Sequence, residues 1–107
     1  MTTKKKTKKS DAIEFVEELA GGPLTLGTFL CSIREGEEWS QAEMGRRLGV
    51  SRAHICDLEK GRRGLSPTKA AKWARILGYH EGQMVEFALQ AQVDSAKLKY
   101  TVKLDAA

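Results

Sequence analysis

The chain has 107 residues, 41% of them apolar, and its 18 Lys+Arg against 14 Asp+Glu leave a net charge of +4. That is enough chain for one small core and too little for two domains. No apolar run exceeds three residues, which excludes a membrane-spanning helix of about 20, and the modest basic excess points towards a polyanionic partner.

The charge is segregated along the chain. Residues 1–10, with Lys4, Lys5, Lys6, Lys8 and Lys9, carry +5, and they lack apolar side chains after Met1. They read as a disordered basic arm. The acidic Asp-Ala-Ile-Glu-Phe-Val-Glu-Glu stretch that follows is unlike a secretory leader. Residues 11–20 predict an accessory acidic helix, with Ala12, Ile13, Val16, Leu19 and Ala20 at spacings of three and four. Gly21-Gly22-Pro23 stops it.

From Thr25 to Glu35, Leu26, Phe29, Leu30 and Ile33 form one apolar stripe, and Gly36 is expected to end that helix. Ser40 and Glu43 have capping-box spacing and open a short helix closed by Gly49 after Leu48. Ser51 caps a third helix through Glu59, ended by Gly61. Ser66-Pro67 starts a fourth through Leu77, ended by Gly78, and a fifth spans Glu81 to Val93. The expectation is all-α: a five-helix bundle over residues 24–93, preceded by the extra N-terminal helix. The tail departs from this pattern. Leu98, Tyr100, Val102 and Leu104 alternate with Lys97, Lys99, Thr101 and Lys103, predicting a short C-terminal β-strand over 97–105. A strand needs a partner, and no other segment reads as one, so the same strand of a second copy is the simplest choice.

The informative stretch runs from Ser40 to Gly61. Two short helices meet at Gly49, where glycine turns the chain tightly, and Gly45 lets the second helix approach. Met44, Leu48, Val50, Ile55 and Leu58 pack around the turn. This is helix-turn-helix geometry. Residues 26–78 resemble the lambda-repressor-like, or Xre-family, DNA-binding domain. Ser40-Gln41 through Gly49 matches that family's Ser/Thr-Gln-x-x-(hydrophobic)-Ala-x-x-x-Gly start. Ser51, Ile55, Leu58, Glu59 and Gly61 match its continuation. Gly45 departs from the pattern, where the family usually has Ala, at a helix-propensity cost of up to about 1 kcal/mol.

With Ile55 facing inward, Ala53 and Asp57 face outward on the third helix and His54 and Cys56 flank them, with Arg52 at its first turn. Such a helix can address base edges in the major groove with Arg52, Ala53, His54 and Asp57. Arg52 suits guanine O6 and N7, and Ala53 a thymine methyl. Asp57 either accepts from cytosine N4 or orients Arg52. Phosphate contacts are expected from Ser51, which also has a capping role, and from the basic loop Lys60, Arg62 and Arg63. The resemblance implies a further phosphate contact at Gln41. It also implies a structural salt bridge between Arg34 and Glu59 behind the DNA surface, against the alternative of two independently solvated charges.

Trp39, Trp73 and Cys31 read as packing residues. The lysine arm either follows phosphates, reaches into a minor groove, or serves solubility. The acidic helix is read foremost as a cap on the core, with partner binding and DNA mimicry as alternatives. Cys31 and Cys56 form no disulfide framework, and with His54 and His80 they lack metal-ligand spacing, so no metal is expected. No P-loop, dinucleotide glycine motif or nucleophile elbow is present, and neither an enzymatic activity nor a cofactor is expected. These readings converge on a cytoplasmic, nucleoid-associated transcriptional regulator, a homodimeric repressor of an operator in double-stranded DNA. The alternative is the antitoxin of a toxin–antitoxin pair, with a toxin protein as partner, that represses its own operon.

Overall fold

The computed structural model describes residues 24–107, so the basic arm and the acidic helix expected over 11–20 lie outside the described residues. Five helices and no strands are found among the described residues: α1 (Leu26–Gly36), α2 (Gln41–Leu48), α3 (Arg52–Glu59), α4 (Pro67–Leu77) and α5 (Glu81–Ser95). The all-α expectation holds, and α5 runs two residues beyond Val93.

Local chemistry sets the helix ends. Thr25 and Thr28 form a capping box at the start of α1, each side chain receiving the other's backbone N–H. The box expected at Ser40 is half made. The Ser40 hydroxyl accepts from the Glu43 N–H at 3.0 Å, but the Glu43 carboxylate turns to Arg46 and Arg47, one helical turn ahead, rather than back to the cap. Gly36 is the last residue of α1 rather than its terminator. The left-handed turn falls on Glu38, at φ 63°, and the Trp39 N–H reaches the Arg34 carbonyl. His80 caps α5, its Nδ1 accepting from the Gln83 N–H at 3.0 Å.

The core is shared by all five helices. Leu30, Met44, Ile55, Leu58, Trp73 and Met84 are the largest fully buried side chains. Each buried aliphatic stabilises the fold by about 1.5–3 kcal/mol. Helix α2 packs on α3 and α4 on α5, while α1 bridges α3 and α5. Gly27 makes the first of those bridges possible. A Cβ there would lie 2.5 Å from the Glu59 carbonyl oxygen and 2.7 Å from that of Leu58. Its backbone therefore sits directly on the end of α3.

The strand expected over 97–105 is not formed in the single chain, because a ladder needs a second strand and the described residues hold none. The tail instead turns back at Lys97, φ 63°. The Leu98 N–H bonds the Val93 carbonyl, and the tail then meets the side chain of Gln90 on α5.

Candidate nucleic-acid interface

Helices α2 and α3 are joined through Gly49, which takes φ 78°, a conformation that costs a residue with a Cβ about 1–2 kcal/mol. The approach of α3 depends on Gly45. A Cβ at that position would stand 2.5 Å from the Val50 carbonyl oxygen, so the alanine of the family pattern would require this turn to shift. Ser51 then caps α3 by accepting from the His54 N–H at 3.0 Å. Met44, Leu48, Ile55 and Leu58 are buried around the turn and Val50 is half-buried.

Behind this unit lies a chain of polar contacts. Arg34 and Glu59 are brought together in a forked ion pair, Nε to Oε2 at 2.7 Å and Nη2 to Oε1 at 3.2 Å, with side chains only 16% and 6% exposed. The third guanidinium nitrogen donates to the Trp39 carbonyl at 3.0 Å. Hydrogen bonding to Glu59 holds the Arg34 guanidinium more basic still than usual, so the guanidinium stays charged. Gln41 Nε2 donates to Glu59 Oε1 at 3.0 Å, and Gln41 Oε1 faces Arg52 Nη1 at 3.4 Å. One carboxamide thus connects the half-buried ion pair to the exposed first turn of α3.

The residues expected to meet bases occupy unlike surroundings. Arg52 and Ala53 are exposed. His54 is half-buried with its ring 6.3 Å from that of Trp73. Burial lowers its pKa below the ordinary 6.5, and the charges of Arg63 and Lys69 push the same way against the opposing pull of Asp57. Asp57 does not orient Arg52. Its carboxylate is taken by Arg62, with Nη2 at 3.0 Å and Nε at 3.1 Å, because the loop after α3 folds back so that the Arg62 N–H bonds the Asp57 carbonyl. Lys60 and Arg63 are exposed on that loop, and Arg62 also points Nη2 at Cys56 Sγ, 3.9 Å away.

Cys31 is half-buried rather than part of the core. It lies 3.7 Å from Arg34 Nη2, and burial, then Glu59 and Glu35, push its thiol pKa up, leaving it a poor nucleophile. Trp73 is in the core, whereas Trp39 is half-buried under the Arg47 guanidinium, 4.3 Å from the ring centre.

Sequence reasoning overlooked Gly27, the Gln41–Arg52 contact and the diversion of Asp57 to Arg62. Gly27 left a signal, a glycine inside an otherwise well-patterned helix. The two side-chain pairings left none, since both depend on how α2, α3 and the loop meet.

Residues 32–83 match a family model described as helix-turn-helix. The crystal structure of a hypothetical transcription factor, NHTF, from Neisseria is similar in fold, with a TM-score of 0.51 at 24% identity, over 65% of this chain and 79% of that one. No curated protein matches the chain at a significant level. No helix among the described residues is long and apolar enough to cross a membrane. The matched segment, the Gly49 turn and the buttressed α3 together identify a helix-turn-helix domain over residues 32–83 that is similar to the lambda-repressor-like DNA-binding domains.

Proposed function

We propose that this chain is a sequence-specific transcriptional regulator, acting as a homodimeric repressor that sets α3 into the major groove of an operator half-site. The observation that carries this reading is Arg52. It stands exposed at the first turn of α3, with its guanidinium facing Gln41, whose carboxamide is itself held by Glu59. A guanidinium so placed suits bidentate contact with guanine O6 and N7. Ala53 beside it offers a methyl for thymine, while His54 and Asp57 lie at the edge of the contact. Asp57 can accept from cytosine N4 only by sharing its carboxylate with Arg62.

Gln41 and Ser51, at the starts of α2 and α3, and Lys60, Arg62 and Arg63, on the loop after α3, would contact phosphates, setting register without reading sequence. Two copies would engage half-sites about one helical turn apart, and occupation of such a site would exclude polymerase. The neighbour from Neisseria is described as a hypothetical transcription factor, in line with this reading.

Selection of bound fragments from random DNA, followed by gel-shift titration, tests the proposal. Arg52→Ala should weaken binding to the selected site by about tenfold to a hundredfold and relax preference at one position per half-site. Arg63→Ala should weaken all sequences similarly and lower the salt slope by about one. Unchanged affinity and preference in Arg52→Ala would overturn the assigned readout.

A further inference from the structure

The tail carries three of the large apolar side chains exposed among the described residues: Leu98 at 51%, Tyr100 at 70% and Leu104 at 39%. Its backbone is nevertheless anchored. Gln90 Nε2 donates to the Tyr100 carbonyl at 2.9 Å, and Gln90 Oε1 accepts from the Val102 N–H at 2.6 Å. Asp94 Oδ1, one turn along α5, takes the other hydrogen of the Gln90 amide at 2.9 Å. A carbonyl and an N–H two residues apart, both taken by one carboxamide, are the groups that an extended segment presents along one edge. Gln90 therefore occupies the place of a neighbouring strand on the edge of Tyr100 and Val102. In an extended segment the N–H and C=O groups of Lys99, Thr101 and Lys103 project from the opposite edge, and no hydrogen bond among the described residues engages them.

We infer that this free edge is the dimer contact, and that it pairs antiparallel with the same edge of a second copy about a two-fold axis at Thr101. The inference rests on the dimeric reading above and specifies its surface. Self-complementarity carries the choice of partner. Pairing about Thr101 sets Leu98 opposite Leu104 of the second copy and Tyr100 opposite its Val102. All four apolar side chains then gather on one face. It also brings Lys97, in the turn that begins the tail, towards Asp105 at both ends. Lys99 meets Lys103 on the other face, where the long side chains can spread into water. Pairing about Tyr100 instead would oppose lysines as well, Lys97 to Lys103, would leave Asp105 without a lysine opposite, and would set Leu104 against only the small Ala96 at the end of α5. Gln90 prepares the edge by fixing the backbone at Tyr100 and Val102, so less freedom is lost when the second strand arrives.

The test uses the full chain with Cys31→Ser and Cys56→Ser, scanned with single cysteines at Tyr100, Thr101 and Val102 and oxidised. A residue on the axis of a hydrogen-bonded antiparallel pair has its counterpart about 5.5 Å away, within disulfide reach. Thr101→Cys should therefore cross-link efficiently, and the flanking positions poorly. In sedimentation equilibrium, Thr101→Pro removes a free-edge donor in each copy while leaving the Gln90 contacts intact. It should raise the dimer dissociation constant about tenfold or more. Binding of the Thr101→Pro chain to a single half-site should be unchanged. Efficient cross-linking at Tyr100 or Val102 instead would overturn the register. A dimer indifferent to Thr101→Pro and inert at Thr101→Cys would overturn the inference while leaving the dimeric regulator standing. A parent chain monomeric at micromolar concentration would overturn both the surface and the dimer.

Discussion

Gln41 and Gln90 each spread one carboxamide over several partners, but the surroundings differ. Gln41 is set between a nearly buried carboxylate and an exposed arginine, inside a unit already held by the packing of α1, α2 and α3. Gln90 holds a tail whose large side chains face solvent. In the first case hydrogen bonds refine a geometry that apolar burial has established. In the second they define the geometry themselves. The reading unit should therefore resist small losses and fail cooperatively, whereas the tail should detach locally at little cost to the rest.

Glu59→Ala should have the largest effect. It strands the Arg34 guanidinium in a mostly buried place and frees Gln41, costing about 3 kcal/mol in urea denaturation and weakening operator binding as Arg52 loses its support. A loss below 1 kcal/mol would mean that the ion pair behaves like an exposed surface pair. Gly27→Ala comes next. The added methyl meets two backbone carbonyls that no side-chain rotation can move, so about 2 kcal/mol of stability should be lost despite alanine's better helix propensity. An unchanged melting temperature would show that α1 can slide on α3.

Gln90→Ala probes the opposite region. It should cost at most about 1 kcal/mol, because the tail's freed backbone groups can turn to water. Hydrogen exchange at the Val102 amide should accelerate strongly, while amides in α2 and α3 stay as protected as before. Equal acceleration in α3 would remove the distinction between the two regions.

The smallest effect is a pH dependence from His54. Its pKa is lowered in the folded chain, so below the ordinary 6.5 the unfolded chain takes up a proton more readily than the folded one. This histidine's contribution is complete above that value and declines as the pH falls towards its folded pKa. Melting curves between pH 7.5 and about 5 should show a decline that His54→Gln reduces. An identical decline in the variant would assign the pH dependence to other groups.

Much of the fold was legible in the sequence because its cues were local. Ser40, Ser51 and Ser66-Pro67 open helices where cap chemistry requires it, and Gly49 and Gly78 close them with positive φ. The failures were also physical. At Ser40 the spacing of a capping box was present, but Arg46 and Arg47 compete for the Glu43 carboxylate. In the tail, alternation described how side chains distribute along an extended backbone and was silent about what the backbone would bond.

The sequence by itself determined the five described helices and the turn at Gly49, and it singled out α3 as the helix proposed to meet DNA. These follow from periodicity, caps and a glycine, each acting over a few residues. Tertiary structure alone decided that Asp57 is held by Arg62, that Arg52 faces Gln41, that Gly27 seats α1 on α3, and that Gln90 takes one edge of the tail. Those contacts depend on how separate helices and the loops between them meet, and that is set when the core closes.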